Sequence, residues 1–199
     1  MKGTSKRYCL LLAFILLTGL LAGCADSASS DIKIGMVYEL TVNTASYGTS
    51  AADGAKLAFK EINAKGGVLG KQIKIVTADN KGEPSESANA MTKVITQDKV
   101  IAVTGFTVSS CGIAGSAVAE DNKIPLVAAA TVNPRVTVDE KTGKVKDYTF
   151  RACFIDSFQG TVSANFALNS LKKSKSAIMV DNSSDYSKGL AQIFKDVFT

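Results

Sequence analysis

From residue 32 onward, short apolar runs alternate with segments whose apolar residues recur at helical spacing. Ile32, Ile34, Met36 and Tyr38 fall on one face of an extended segment, which predicts a strand over 32–38. Ala51, Ala55, Ala58 and Ile62, with Leu57 beside them, predict a helix over 50–64 that stops at Gly66-Gly67. A second strand runs from Lys71 to Ala78. Pro84 suits a first helical turn, and Ala88, Met91, Val94 and Ile95 carry that helix to about Asp98. A strand over 100–104, a helix over 110–122 with Ile113, Ala114, Ala117 and Val118 inward, and a strand over 124–129 follow. This βαβαβαβ order predicts an α/β fold, a doubly wound parallel sheet with helices on both faces. The strands read as continuous apolar runs, as expected when both faces are covered.

Beyond a polar loop from Asn133-Pro134 to Lys146, the pattern resumes. It predicts an extended segment over 148–155 and a helix over 157–172 carrying Val162, Phe166 and Leu171. A buried strand over 177–180 and a helix over 186–198 with Leu190, Ile193, Phe194 and Val197 complete it. The expected organisation is a first α/β lobe over 32–147 lacking its C-terminal return strands. A crossover and the start of an incomplete, truncated second α/β lobe follow over 148–199.

The first residues follow a different rule. Lys2, Lys6 and Arg7 precede an apolar run of about 15 residues from Tyr8, short of the roughly 20 that span a bilayer as a helix. Small residues then lead to Cys24. This predicts a secretory signal peptide over 1–23. Leu21-Ala22-Gly23-Cys24 resembles the lipobox of bacterial lipoproteins, which implies a lipid on the Cys24 thiol. A flexible tether would follow over 24–31, with the folded part held at the extracytoplasmic face of the bacterial cell membrane.

Composition narrows the chemistry. The chain has 199 residues, 46% hydrophobic, and no His, which excludes Ser-His-Asp and Cys-His catalysis and His-ligated metal. Of the 23 basic residues three lie in the leader, so the remainder nearly balances 18 acidic ones and no nucleic-acid partner is expected. No GxGxxG opens the first helix, and neither a GxxxxGK[ST] loop nor a GxSxG elbow is present. The expectation is a protein that is not an enzyme and needs no cofactor or metal. Asp79, Asp156 and Asp181 stand alone at strand ends or turns, where capping is the expected role.

In an open parallel sheet, ligands sit at the carboxyl ends of the strands. The turn Gly105-Phe106-Thr107-Val108-Ser109-Ser110 opens directly into a helix, so its bare amides and a serine hydroxyl suit a carboxylate. The plainer alternative is that Ser109 or Ser110 caps that helix. Backbone carbonyls of 128–134 and the Thr131 hydroxyl suit an ammonium group. Tyr47, read in a long loop with Gly48, is either a cover over the ligand or a packed or exposed ring.

Several of these stretches together resemble the substrate-binding proteins of branched-chain amino acid ABC transporters, the Leu/Ile/Val-binding type I periplasmic binding family. Ile32-Lys33-Ile34-Gly35 is similar to the family's first strand. Gly54-Ala55 through Glu61-Ile62-Asn63-Ala64-Lys65-Gly66-Gly67-Val68-Leu69-Gly70 is similar to its G-x-x-L-A-x-x-E-I-N-A-x-G-G-v-x-G. Tyr47-Gly48 resembles the end of a G-P-x-A-x-Y-G loop whose Gly-Pro is missing here. Phe150-Arg151 through Asp156-Ser157-Phe158-Gln159-Gly160 resembles the strand entering the second lobe, and Ala177–Asp181 with Tyr186 and Gly189 that lobe's first strand and loop.

The resemblance implies two lobes that close on an amino acid and deliver it to ABC permease subunits. A lipid-anchored sensor signalling to a membrane receptor is the alternative. It implies that Ser109 holds the carboxylate, that Ala130 and Thr131, or Val132 one residue on, hold the carboxylate and ammonium, and that Tyr47 and Tyr186 line the cleft. It further raises a disulfide question. Some members tie the second-strand loop to the third-strand loop, yet 79–85 has no Cys. Cys111 is therefore either free or joined to Cys153.

Overall fold

The computed structural model describes residues 31–199; the expected signal peptide, Cys24 and nearly all of the expected tether lie outside the described residues. Strands β1 (Ile32–Tyr38), β2 (Ile73–Asp79), β3 (Ala102–Gly105), β4 (Leu126–Ala128) and β5 (Thr149–Arg151) form one sheet, ordered β2-β1-β3-β4-β5. Every neighbouring pair is parallel. The chain steps outward from β1 to β2, then returns past β1 to β3. The loops leaving β1 and β3 therefore diverge, which opens a crevice at their carboxyl ends.

Five α-helices join and follow the strands: α1 (Ala45–Ala64), α2 (Pro84–Thr96), α3 (Ser109–Asn122), α4 (Asp156–Asn165) and α5 (Asp185–Phe198). Alternate strand residues feed two cores. Val37, Val103 and Leu126 pack with Met91 and Val94 of α2 and with Cys111 and Ala119 of α3. Met36 and Tyr38 point the other way and meet Ala52, with Ala55 and Phe59 of α1 alongside. Among the described residues no helix is long and apolar enough to cross a membrane.

Three expectations change. Helix α1 starts at Ala45, so Tyr47-Gly48 belongs to its first turn and not to a loop. The cause is close approach. A Cβ on Gly48 would stand 2.0 Å from the Glu39 carbonyl oxygen, so only glycine lets the helix settle on the end of β1. The inward face accordingly runs through Gly48, Ala52, Ala55 and Phe59, leaving Leu57 59% exposed and Ile62 37% exposed.

The helix expected over 157–172 is α-helical only to Asn165, and Phe166–Ser170 forms a π-turn. Residues 177–180 do not form a buried strand: Met179 is 99% exposed, and no described strand pairs with the segment. A strand without a neighbour leaves its backbone groups to water, so apolar sequence alone does not make one. Helix α5 packs on α4 instead. The two approach where a Cβ on Gly160 would lie 2.7 Å from Ile193 Cγ2.

Candidate functional site

The loops at the carboxyl ends of β1, β3 and β4 and the starts of α4 and α5 surround a hollow of about 510 Å³. Thr44 and Tyr47 border it from α1, Thr107, Val108 and Ser109 from the β3–α3 turn, and Ala130 and Val132 from the β4 exit. Phe154, Gln159, Ser184 and Tyr186 complete the wall. Of the residues singled out in the sequence, Tyr47, Ser109, Ala130 and Tyr186 share this hollow. Thr131 does not. It is fully buried and packs on α3, its Cγ2 within 2.6 Å of where a Cβ on Gly112 would sit. Val132, one residue on, lines the hollow in its place.

The start of α3 carries no side-chain cap; its capping position is Val108. Neither serine caps its own helix. Ser109 Oγ accepts the Asn133 N–H at 3.4 Å, and Ser110 Oγ accepts the Asp185 N–H at 3.2 Å. Ser109 is 2% exposed, and its hydroxyl hydrogen has no acceptor among the described residues. The first amides of α3 and this hydroxyl make a site suited to a carboxylate. The Tyr47 ring is 70% exposed at the rim. Opposite it, the Tyr186 hydroxyl accepts from Gln159 Nε2 at 3.2 Å.

Two elements fix the β4 exit loop. Arg151, paired with Ala128 across the β4–β5 register, donates from Nη1 to the carbonyls of Thr131 and Asn133, each at 3.1 Å. Its Nη2 donates to the Pro134 carbonyl at 3.2 Å and to Thr137 Oγ1. Asp156 at the start of α4 donates its N–H to the Val132 carbonyl at 2.9 Å. Helix α5 fastens to the same loop. Asn133 Nδ2 donates to the Asp185 carbonyl at 2.9 Å, and the Asp185 carboxylate pairs with Arg135 at 3.3 Å and Lys188 at 3.0 Å.

The three isolated carboxylates part company. Asp79 takes the N–H groups of Leu40 and Lys81 and the Thr41 hydroxyl. Burial raises its pKa, but these hydrogen bonds outweigh it and the carboxyl sits below its ordinary range. Asp181 accepts from the Ser183 N–H and hydroxyl, which lower its pKa. Asp156 caps nothing: it is fully buried, neither carboxyl oxygen has a partner, and burial pushes its pKa up to about 6 against the pull of Arg151. Cys111 and Cys153 are both free, and burial pushes the Cys111 thiol up to about 12.

A second hollow, of about 530 Å³, lies between the end of α3 and the 135–147 loop. Charged side chains such as Glu120, Lys141 and Asp147 line it, and it lies away from the carboxyl ends of the strands. Among the described residues no group of three or more Cys, Asp or Glu could hold a metal ion.

The chain belongs to the periplasmic binding protein family, which it matches over residues 31–199. It is 36% identical over 169 residues to an amino acid binding protein of Pseudomonas aeruginosa, covering 85% of this chain and 44% of that one. It is 32% identical over 183 residues to the Leu/Ile/Val-binding protein of Escherichia coli K12, covering 89% and 48%. Among solved structures it is similar to the branched-chain amino acid transporter substrate-binding protein LivJ of Streptococcus pneumoniae in complex with isoleucine. That match has a TM-score of 0.76 at 39% identity and covers 85% of this chain and 47% of that one. The leucine-binding protein LivK of Thermotoga maritima gives a TM-score of 0.76 at 34% identity, covering 84% and 45%. The chain thus spans about half the length of the relatives it matches. The fold class expected from the alternating pattern, a parallel α/β sheet of the type I periplasmic binding kind, is the one observed.

Proposed function

We propose that this chain is part of an extracytoplasmic solute-binding lipoprotein that captures an amino acid, branched-chain or closely related, and delivers it to an ABC permease without chemical change. Residues 32–147 would supply one lobe and 148–199 the crossover and start of the second, with a lipid on Cys24 holding the protein at the membrane. The observation that carries this reading is the uncapped start of α3 beside the free Ser109 hydroxyl, in the same hollow as the exposed Ala130 backbone. These groups match the two ends of a zwitterion. The amides and the hydroxyl take the carboxylate, and a backbone carbonyl takes the ammonium. Val132, Phe154 and the tyrosine rings then offer an apolar wall to an aliphatic side chain. The names of the relatives, amino acid and Leu/Ile/Val-binding proteins, support the same ligand class.

The test is equilibrium binding of leucine, isoleucine and valine to the chain and to Ser109→Ala. Loss of one charge-assisted hydrogen bond weakens binding about tenfold, and the Asn133 N–H left without its acceptor lowers the melting temperature of the unliganded variant by a few degrees. Equal affinity in the two proteins would remove Ser109 from the site.

A further inference from the structure

The amino-acid reading leaves one buried carboxylate without a task. Glu39, the residue that follows β1, is fully buried. Its Oε1 accepts from Asn80 Nδ2 at 3.1 Å. Its Oε2 accepts both the Thr107 N–H at 2.9 Å and the Thr107 hydroxyl at 2.6 Å. Among the described residues no ion pair involves Glu39. The titratable groups that interact with it carry no positive charge: Tyr38 beside it and the Cys111 thiol on α3. A buried carboxylate held only by neutral donors is costly, so its place calls for a reason.

That reason lies in what the donors belong to. Asn80 directly follows β2 and is itself fully buried, with its N–H on the Tyr38 carbonyl and its Oδ1 accepting the Gly82 N–H. Thr107 belongs to the β3–α3 turn and borders the hollow. One carboxylate therefore ties the exit of β1 to those of its two neighbours, β2 and β3. The turn it holds is an uncommon one. Phe106 has φ +60°, in the left-handed region that a bulky residue rarely adopts. Its ring occupies the space where a Cβ on Gly115 would come within 2.3 Å of Cζ. Glu39 secures the next residue by both of its donors.

We propose that Glu39 is the positioning residue of the ligand site: by taking up both donors of Thr107 it sets the β3–α3 turn so that Ser109 and the first amides of α3, and not Thr107, meet the ligand carboxylate. This inference rests on the amino-acid reading of the hollow.

A charge-swap experiment tests the proposal on the full chain. In Glu39→Gln the new amide must set an NH2 against either the Asn80 NH2 or the two Thr107 donors, so one donor faces another. In Asn80→Asp two carboxylates face each other. In the double variant Glu39→Gln/Asn80→Asp every donor again meets an acceptor. The new amide oxygen takes both Thr107 donors, its NH2 reaches one new carboxylate oxygen, and the other oxygen takes the Gly82 N–H. We expect hydrogen exchange at the Thr107 amide to quicken at least about tenfold in Glu39→Gln, isoleucine affinity to fall about tenfold, and both to return to within about threefold of wild type in the double variant. Thr107→Val keeps the backbone bond and loses only the hydroxyl; it should weaken isoleucine binding about threefold and provides the test should Glu39→Gln not fold. Wild-type exchange at Thr107 in folded Glu39→Gln, wild-type affinity in Thr107→Val, or no recovery in the double variant would overturn the proposal. Exchange that follows the swap while no protein, wild type included, binds isoleucine would refute the amino-acid reading and still support the positioning of the turn.

Discussion

Arg151→Met is expected to damage the fold near the site, lowering stability by about 2 kcal/mol. The guanidinium serves the carbonyls of Thr131, Asn133 and Pro134 and the hydroxyl of Thr137 from one planar fork. The Asn133 carbonyl keeps the Val136 N–H and the Pro134 carbonyl keeps those of Thr137 and Val138, so the Thr131 carbonyl, on a fully buried residue, is the acceptor left without a partner when the fork is removed. That one orphaned buried acceptor costs about 1–3 kcal/mol, which sets the figure. Arg151→Lys should recover less than half of the loss, because an ammonium cannot span acceptors placed for a planar fork. Chemical denaturation of the three proteins checks this. The loop released by the change is the one that presents Ala130 and Val132, so a loss of ligand affinity should accompany the loss of stability.

Asp156 gives the second large effect, and its sign is opposite to that of most carboxylates. Its native pKa is raised from an ordinary 3.8 to about 6 by burial. Between those values the native state binds more protons than the unfolded chain, so stability falls as pH rises from about 4 to about 6 and stays lowered above that. The shift corresponds to about 2–3 kcal/mol. Asp185 and Asp139 work the other way, their lowered pKa values contributing stability that is lost as pH falls. At Asp185 burial raises the value, but Lys188, Ser110 and Arg135 overcome it; at Asp139 hydrogen bonds from Thr142 lower it. The difference between wild type and Asp156→Asn isolates the one group. The variant should match wild type near pH 4 and exceed it by about 2 kcal/mol near pH 8, as measured by urea midpoints across that range. Equal midpoints at both pH values would mean that Asp156 is not the buried, unpartnered acid described.

Much of this architecture was legible in the chain because local period and global packing agree along 32–130. Apolar runs too short for helices met Gly, Pro and Asn at their ends, and every such run there became a strand of the parallel sheet. The boundaries that shifted did so for tertiary reasons. Helix α1 begins early because Gly48 can sit on the Glu39 carbonyl, a contact invisible to periodicity. Residues 177–180 read as a strand by composition, yet pairing depends on a neighbour that spacing cannot supply.

The site was legible to the level of loops and less so to the level of atoms. Ser109, Ala130, Tyr47 and Tyr186 are brought to one hollow by the fold, Tyr47 from a helix turn and not the expected loop, whereas Thr131 and Val132 differ by one residue, and a one-residue step in extended chain turns a side chain to the opposite side. Glu39, Arg151 and Asp185 hold the site without lining the hollow, so no ligand-based reading selects them. A charged residue directly closing an apolar strand, as Glu39 closes β1, was the one available sign.

The account rests on an amino acid meeting the start of α3, and a titration of isotopically labelled chain with isoleucine, followed by amide NMR, tests it most directly. Saturable shifts are predicted at the amides of 109–111, 130–132 and 184–186, with the 135–147 loop silent. No saturable shift up to about 20 mM isoleucine, a limit that corresponds to only about 2 kcal/mol of binding free energy, or shifts centred on the 135–147 loop, would contradict it.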